Sequence, residues 1–234
     1  FIWCGAGISV SSPCCLPLGN ELSKYIVDQY ILNAEKIQEK WGKCNNIINK
    51  YTSTNKYVRP EVVISCIARL KGLQTTKKFH EKFSQLSVAN YNLNHEFLAD
   101  IVKKGGGVYT TNFDTCLEHV YEKKYNEKLT KQIYCGGKVV LYEPEHDGKV
   151  CHLHGTFEYS EQAGASIENV MSGFDQFTLQ MLERDLKEGV HIFVGYSFSD
   201  DYDLNSIFTR YVTKPEKIYV CNHMGIDKKM SLSV

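Results

Sequence analysis

Short apolar runs alternate with longer amphipathic stretches along most of this chain. Runs typical of buried strands lie at residues 1–4, 108–111, 132–134, 139–142, 150–153, 191–194 and 218–221. Helical periodicity marks residues 21–32, 95–104, 113–125, 174–187 and 204–211. Strands and helices that alternate in this way predict an α/β fold, a Rossmann-like parallel sheet with helices on both faces.

Only helical patterns lie between the first two predicted strands. Pro60 opens a helix with Val63, Ile64, Ile67 and Leu70 on one stripe, and Asn94 is the expected N-cap of the helix from residue 95. We therefore predict a single domain over residues 1–234, in which a helical lobe at about 20–104 is inserted into a core of 1–19 and 105–234. The chain opens directly on an apolar run, so we expect it to be a fragment of a longer protein.

Glycine-rich or polar clusters follow several of the predicted strands. Parallel strands present their carboxyl ends at one edge of the sheet, so these clusters are expected to converge on one crevice. In the first cluster, Gly5 and Gly7 would let backbone N–H groups approach a diphosphate, and Ser9 would add a hydroxyl donor. The clusters are Gly5-Ala6-Gly7-Ile8-Ser9, Asn112-Phe113-Asp114, His154-Gly155, Gly195-Tyr196-Ser197 and the residue after the last strand, Asn222.

Each cluster also has an ordinary structural explanation. Two glycines after a strand are common in tight turns, Asn112 and Asp114 suit a helix cap, and the serines and aspartates of residues 197–201 suit another. The functional interpretation depends on the clusters occurring together and in order. Of the two nearby histidines we expect His152 and His154 to point to opposite faces, with His154 in the crevice. No close partner completes a metal site there, so no metal is expected.

Composition excludes several classes of function. The chain has 27 basic and 27 acidic residues, so it has no general field to attract nucleic acid or an anionic membrane. Hydrophobic residues make up 43% of it, yet no apolar run is long enough to span a bilayer, so a cytoplasmic location is expected. Its nine cysteines show no Cys-x-x-Cys spacing, and we expect most to be reduced.

Taken together, these motifs resemble those of the sirtuin superfamily over nearly the whole chain. Residues 5–9 resemble the first cofactor loop, and His154-Gly155 resembles the catalytic His-Gly pair. Asn94-His95, leading through a helix to Thr111-Asn112-Phe113-Asp114, is similar to the approach to the family's Asn-x-Asp motif. Gly195-Tyr196-Ser197 stands in place of a Gly-Thr-Ser loop, and Asn222 resembles the strand-end asparagine.

Departures from the family pattern indicate which branch of the superfamily the chain resembles. No cysteine lies between Cys151 and Cys221, so the zinc ribbon of the deacylases is absent from the sequence. The segment after Gly155 has no Phe-Gly-Glu sequence to hold an acylated peptide, and Thr111 replaces the usual glutamine. The chain is more similar to the zinc-free branch found as NAD-depleting effectors in bacterial anti-phage systems, whose members are often joined to a sensor.

This resemblance implies an NAD hydrolase that forms nicotinamide and ADP-ribose. It makes Asn112 the group that orients the ribose and water, His154 the general base, and Asp114 the acceptor for the carboxamide. The alternatives to an NAD hydrolase are an NAD-dependent protein deacylase and a non-catalytic nucleotide sensor. Members of this branch often have a sensor, and an ungated hydrolase would deplete the cell, so we expect control by a homo-oligomer, a sensor domain or a partner. The helical lobe is either the gate for this control or only a cover for the sheet. The expected NAD contacts are Gly5, Ala6, Gly7, Ser9, Thr111, Asp114, Gly195, Ser197 and Asn222.

Overall fold

A single mixed sheet organises the part of the chain that the structure describes. This computed structural model describes residues 1–27, 59–71, 90–129, 131–135, 138–142, 148–156, 173–198, 204–212 and 217–221. Within them, seven strands lie in the order β4-β3-β5-β2-β1-β6-β7. Every neighbouring pair is parallel except β3 and β4, which confirms the predicted α/β fold. The strands are β1 (Ile2–Cys4), β2 (Gly107–Thr110), β3 (Lys131–Cys135), β4 (Lys138–Tyr142), β5 (Lys149–His152), β6 (His191–Val194) and β7 (Ile218–Cys221).

Helices connect these strands, and a short 3-10 helix follows β1. None of the described helices is both long and apolar enough to cross a membrane. The predicted stretch at 21–32 is described as α-helix up to Ile26, and residues 28–32 lie outside the described residues. The helices are the 3-10 helix (Ala6–Ser9), α1 (Gly19–Ile26), α2 (Pro60–Lys71), α3 (Leu93–Lys103), α4 (Cys116–Tyr125), α5 (Gln176–Glu188) and α6 (Leu204–Tyr211).

The start of α3 corrects one prediction. Asn92, not Asn94, is the N-cap, because the Asn92 side chain accepts hydrogen bonds from the backbone N–H groups of Asn94 and His95. The N–H of Asn92 in turn donates to Nδ1 of His95 over 3.3 Å, which makes a reciprocal capping box. Two asparagines lie within one turn of each other, and the periodicity alone does not select between them.

Alternating side chains on the central strands build two separate cores. Ile2 and Val108 belong to a cluster with residues of α3 and α4, whereas Trp3 and Tyr109 belong to a cluster with residues of α5 and α6. Strand β5 repeats the pattern, with Val150 in the first cluster. This period of two is what a strand buried on both faces requires. Helices therefore cover both faces of the sheet, as the sequence predicts.

Helices α1 and α2 pack on each other and form a third buried cluster. Its members are Leu22, Ile26, Val63, Ile64 and Ile67, with Phe113 packed against it. Three of them belong to the apolar stripe predicted for the helix that Pro60 opens; the Leu70 side chain of that stripe lies outside the described residues. Phe113 lies between Asn112 and Asp114, so this cluster touches the polar segment that follows β2.

The order in which the chain adds strands to the sheet reverses at β1, although β2 and β6 both run parallel to it. The chain passes from β1 to β2 on one side and later returns to β6 on the other side. Such a switch point opens a crevice at the carboxyl ends of the strands, which is where open α/β sheets bind ligands. The segments that follow β1, β2 and β6 are three of the polar clusters singled out above.

Candidate functional site

A hydrogen-bonded group of polar side chains joins the segment after β1 to the segment after β2. Ser9 Oγ donates to Asp114 Oδ2 over 2.9 Å. Asn112 Nδ2 lies 3.3 Å from the same carboxylate oxygen and 3.4 Å from Ser9 Oγ. Ser9 is 1% exposed and Asn112 is 8% exposed, so these contacts form in a largely dry environment. Three of the predicted site residues thus form one polar group at the switch point.

Asp114 contacts both the start of α4 and the polar group, which are the two roles that the sequence suggests for it. Its Oδ1 accepts a hydrogen bond from the backbone N–H of Cys116, the first residue of α4, whose N-cap is Thr115. Its Oδ2 faces Ser9 and Asn112. Helix α4 thus begins at Cys116 and not at the predicted residue 113. The helix start therefore holds the carboxylate in place toward the crevice.

His95 extends this group into the protein. Its Nε2 lies 3.2 Å from Ser9 Oγ, and its Nδ1 accepts from the backbone N–H of Asn92. Nδ1 is therefore the unprotonated nitrogen, and Nε2–H donates to Ser9. Burial lowers the pKa of His95 against the opposing charges of Asp114 and Glu118, which favours this neutral ring.

The glycines of the first loop meet the loop that follows β6. The N–H of Gly7 donates to the carbonyl oxygen of Gly195 over 3.0 Å, and that of Gly5 donates to Val194 over 3.4 Å. A Cβ on Gly7 would lie 2.8 Å from the Gly195 Cα. The sequence assigned these two N–H groups to a diphosphate, but here they bind the backbone of the neighbouring loop. The glycines are needed because the two loops pack directly on each other.

His152 corrects the prediction about the two histidines. Residues two apart on a strand share a face, so alternation does not separate His152 from His154, and β5 ends at His152. His152 lies on the face of Val150, where its Nε2 is 2.6 Å from Glu118 Oε1 and its Nδ1 is 3.2 Å from the Asn112 carbonyl oxygen. His152 therefore points toward the candidate site and supports the backbone of Asn112.

The charge state of His152 follows from this contact. Burial alone would lower its pKa, but the carboxylate of Glu118 outweighs that effect through its charge and hydrogen bond, so the pKa of His152 is raised. The pair is 2% and 7% exposed at its side chains. Together with Asn112 and Asp114, His152 lines a cavity with space for about one water molecule.

The other predicted residues occupy varied positions. His154 is 4% exposed and lies in the turn just after β5. Thr111 donates its N–H to the Cys4 carbonyl oxygen, which continues the pairing of β1 and β2 by one residue. Ala6 is half-buried in the 3-10 helix, and Ser197 is exposed after β6. Asn222 lies outside the described residues.

Sequence reasoning missed three side chains that the structure brings to this region. Glu118 is buried opposite His152. Cys14 and Cys116 lie beside His95, and one ligand-type atom from each of these three residues lies within 4.8 Å of the others. Neither cysteine has a Cys-x-x-Cys partner, so spacing gave no signal. One sequence feature does relate His95 to Cys116. They lie on the two predicted helices that come before and after the Asn-x-Asp segment.

Residues from just before β2 to the end of β7 are similar to a known protein family. A family model described as a SIR2-like domain matches residues 106–221, which run from just before β2 to the end of β7. The match includes Asn112, Asp114, His154 and Gly195. The loop at residues 5–9 and His95 lie outside it, and they are connected to it by the hydrogen bonds described above. No curated protein matches the chain.

Proposed function

Because this chain carries a sirtuin-like domain, and SIR2-like domains use NAD, we propose that it hydrolyses NAD at the nicotinamide–ribose bond. The products are nicotinamide and ADP-ribose. In this reaction the bond between the ribose C1′ and the nicotinamide nitrogen breaks, and the oxygen of water bonds to C1′. One proton of that water is released.

The observation that supports this proposal most is the contact of Ser9, Asn112 and Asp114. An oxocarbenium-like transition state needs polar groups fixed before the reaction, since their reorientation would otherwise add to the barrier. Here a carboxylate, an amide and a hydroxyl are hydrogen-bonded to each other and mostly shielded from solvent. They lie at the switch point of the sheet, the place where an α/β fold binds a nucleotide.

We assign the roles as follows. Asn112 orients the ribose and the attacking water, Asp114 accepts from the nicotinamide carboxamide, and His154 removes the proton from water or from a ribose hydroxyl. Within the loop at residues 5–9, Ala6 contacts the diphosphate, because the N–H groups of Gly5 and Gly7 already donate to Val194 and Gly195. Ser197 and Asn222 hold the adenosine side. Ser9 and His95 keep the Asp114 carboxylate in position through the hydrogen bonds described above.

Hydrolysis is favoured over protein deacylation by the sequence after His154. It has neither the four cysteines of the deacylase zinc ribbon nor a Phe-Gly-Glu segment for a peptide. Deacylation would use the same NAD crevice but would transfer an acyl group to the ribose. The two activities therefore differ in whether the turnover of NAD needs an acylated peptide.

The decisive experiment is a product analysis. Purified protein is incubated with NAD alone and with NAD plus an acetyl-lysine peptide, and products are separated by chromatography. We expect nicotinamide and ADP-ribose to form at equal rates in both reactions. Asn112→Ala should abolish them, while Asn126→Gly, which removes an exposed asparagine at the end of α4, should not. Turnover that requires the peptide, with O-acetyl-ADP-ribose as product, would refute the proposal.

A hydrolase of a central cofactor must be controlled in the cell that makes it. We propose that the chain acts as a regulated NAD-depleting effector in anti-phage defence, and that self-association or a sensor partner activates it. The contact of Phe113 with the α1–α2 cluster offers a route from the helices to the polar segment. Specific activity should rise with protein concentration together with the sedimentation coefficient. Full activity in a monomer at every concentration would contradict this control.

A further inference from the structure

Three ligand-type side chains, remote from each other in sequence, meet behind the candidate site. Cys14 follows the first loop, His95 lies in the first turn of α3, and Cys116 is the first residue of α4. All three are buried, and their Sγ, imidazole nitrogen and Sγ atoms lie within 4.8 Å of one another. Two sulfurs and an imidazole nitrogen are the donor set that Zn²⁺ prefers in proteins.

The distance between Cys14 and His95 suits a shared metal ion. Cys14 Sγ lies 3.6 Å from His95 Nδ1. In a tetrahedral site with ordinary Zn–S and Zn–N bond lengths, a sulfur and a nitrogen ligand lie about 3.6 Å apart. Nδ1 is the unprotonated nitrogen of this ring, since it accepts the Asn92 N–H over a long 3.3 Å contact. Its one lone pair accepts this N–H and also lies 3.6 Å from Cys14 Sγ, so zinc binding would replace the long contact to Asn92.

The other nitrogen of His95 has the partner that a metal-bound histidine usually has. Nε2–H donates to Ser9 Oγ, which donates to the Asp114 carboxylate. Metal-ligating histidines generally donate their second N–H to a carboxylate or an equivalent acceptor, which fixes the ring and strengthens the ligand. Here the hydroxyl of Ser9 relays that contact.

The carbonyl oxygen of Asn90 supplies a fourth donor. It lies 3.1 Å from Cys14 Sγ and 3.3 Å from Cys116 Sγ, so both thiols converge on one oxygen atom. If both thiols lose their protons, this oxygen loses its two donors and needs a cation in their place. Structural zinc sites are almost always four-coordinate, so a fourth donor is needed beside the two thiolates and the imidazole.

We propose that Cys14, His95 and Cys116 bind one Zn²⁺ ion, with the Asn90 carbonyl oxygen as the fourth donor. The site is distinct from the zinc ribbon of the deacylases and contradicts the expectation of no metal. Two thiolates, a neutral imidazole and a divalent cation carry no net charge, so burial of the site avoids the large cost of burying an isolated ion. The metal would join the first loop to α3 and α4, and so hold Ser9 and Asp114 together.

Burial explains why the thiols need the metal to ionise. It raises the pKa of Cys14 to about 11, and it raises the pKa of Cys116 as well. Both thiols are therefore protonated near neutral pH in the metal-free chain, and zinc binding must displace two protons. The proposal itself depends on the geometry of the four donor atoms and not on these values.

Metal analysis of the purified protein tests the proposal without an activity assay. The protein is prepared with a thiol reductant and without chelator, and its zinc content is measured. The zinc is then removed and replaced by Co²⁺. We expect about one zinc per chain, and a cobalt spectrum with thiolate charge-transfer bands and the ligand-field bands of a tetrahedral ion. Absence of zinc before and after reconstitution with Zn²⁺ would overturn the proposal.

Matched variants locate the site. Cys14→Ser and Cys116→Ser should each lower zinc content and remove the thiolate bands, whereas Cys15→Ser, which changes the adjacent exposed cysteine, should leave both unchanged. If a serine variant fails to fold, the wild-type cobalt spectrum still decides whether thiolates bind the metal. A Cys14–Cys116 disulfide in protein kept under reductant, detected by peptide mass, would overturn the proposal in favour of a redox pair. Failure of NAD hydrolysis would leave the zinc measurement unaffected.

Discussion

The hydroxyl of Ser9 donates to the carboxylate of Asp114 across 105 positions of sequence. This bond joins the first loop of the chain to the Asn-x-Asp segment and lies between His95 and Asn112. The sequence suggests that the Ser9 hydroxyl donates to the diphosphate. In the structure it donates instead to Asp114, the residue proposed to hold nicotinamide. The proposed role of Ser9 is therefore to position Asp114 and His95.

Replacement of Ser9 by alanine should lower kcat/KM for NAD by about 10- to 150-fold, because a hydrogen bond to a charged group contributes about 1.5–3 kcal/mol. The measurement is steady-state hydrolysis over a range of NAD concentrations. Ser23→Ala is the matched control, since Ser23 is a buried serine whose hydroxyl donates to the Gly19 carbonyl oxygen within α1. Equal kcat/KM for Ser9→Ala and wild type would show that the contact does not serve the reaction.

Loss of the His154 ring should lower kcat by about two to four orders of magnitude if it is the general base. His154→Gln keeps a polar side chain of similar length, and circular dichroism establishes whether the variant folds. A pH profile of kcat for wild type and variant gives the second readout. The ionisation that limits the wild-type rate on the acidic side should be missing from the variant. An unchanged kcat and pH profile would exclude His154 as the base.

The buried pair of His152 and Glu118 should act mainly on stability. His152→Ala leaves the Glu118 carboxylate buried without this cation, which should reduce the free energy of unfolding by about 3–5 kcal/mol. Glu118→Gln should restore part of that loss when it is combined with His152→Ala, because the buried carboxylate charge is then removed. Urea unfolding of the wild type, both single variants and the double variant measures the coupling. Additive effects would refute the ion pair.

Several elements could be predicted from the sequence because local pattern determined them. Strand β6 and helix α6 begin and end as predicted, since each is an apolar or amphipathic run bounded by polar or glycine residues. The start of α4 was predicted too early because Asp114 makes a local hydrogen bond to the Cys116 N–H before the helix, which periodicity does not reveal. The error at His152 was one of period, because residues two apart on a strand share a face.

The group of Cys14, His95 and Cys116 shows a different limit of sequence reasoning. Cys14 and His95 are 81 positions apart, and no local pattern relates them. They meet because the first loop and α3 both pack at the carboxyl edge of β1, a consequence of strand order. Spacing rules find metal sites whose ligands share a short segment, and they do not apply to a site assembled from three elements.

Gly195 should be much less tolerant of alanine than Gly173, although both have positive φ. At Gly173 (φ +70°) a Cβ would meet nothing within 4 Å, so the cost is the left-handed conformation alone, about 1–2 kcal/mol. At Gly195 (φ +59°) the Cβ would lie 2.6 Å from the Ile8 nitrogen, and the two loops would have to separate. Gly195→Ala should therefore cost about 1–3 kcal/mol more in the free energy of unfolding than Gly173→Ala. Urea unfolding curves provide the comparison, and equal losses would contradict the close approach of the loops.

Stability should decrease at mildly acidic pH because of His191. Its Nδ1 accepts a hydrogen bond from Trp3 Nε1 over 3.0 Å in the core, and burial lowers its pKa below the usual 6.5. A proton on Nδ1 would face the indole N–H, so the neutral ring is the form that fits. Because the folded pKa is below the unfolded one, the unfolded chain binds protons more strongly. The contribution of His191 is therefore complete above about pH 6.5 and is lost as the pH falls toward the folded pKa.

The His191→Asn variant tests this sign, because its amide oxygen can occupy the position of Nδ1 and accept from Trp3 without titrating. The free energy of unfolding is measured with urea at about pH 7.5 and about pH 5.5 for both proteins. We expect the wild type to lose more stability than His191→Asn over this interval, since the variant has one less group to protonate on unfolding. His119→Asn, which removes a histidine from the exposed surface of α4, controls for the loss of a histidine elsewhere in the fold. Equal losses in wild type and His191→Asn would show that the pKa of His191 is not lowered in the folded protein. A smaller loss in wild type would show that this pKa is raised on folding.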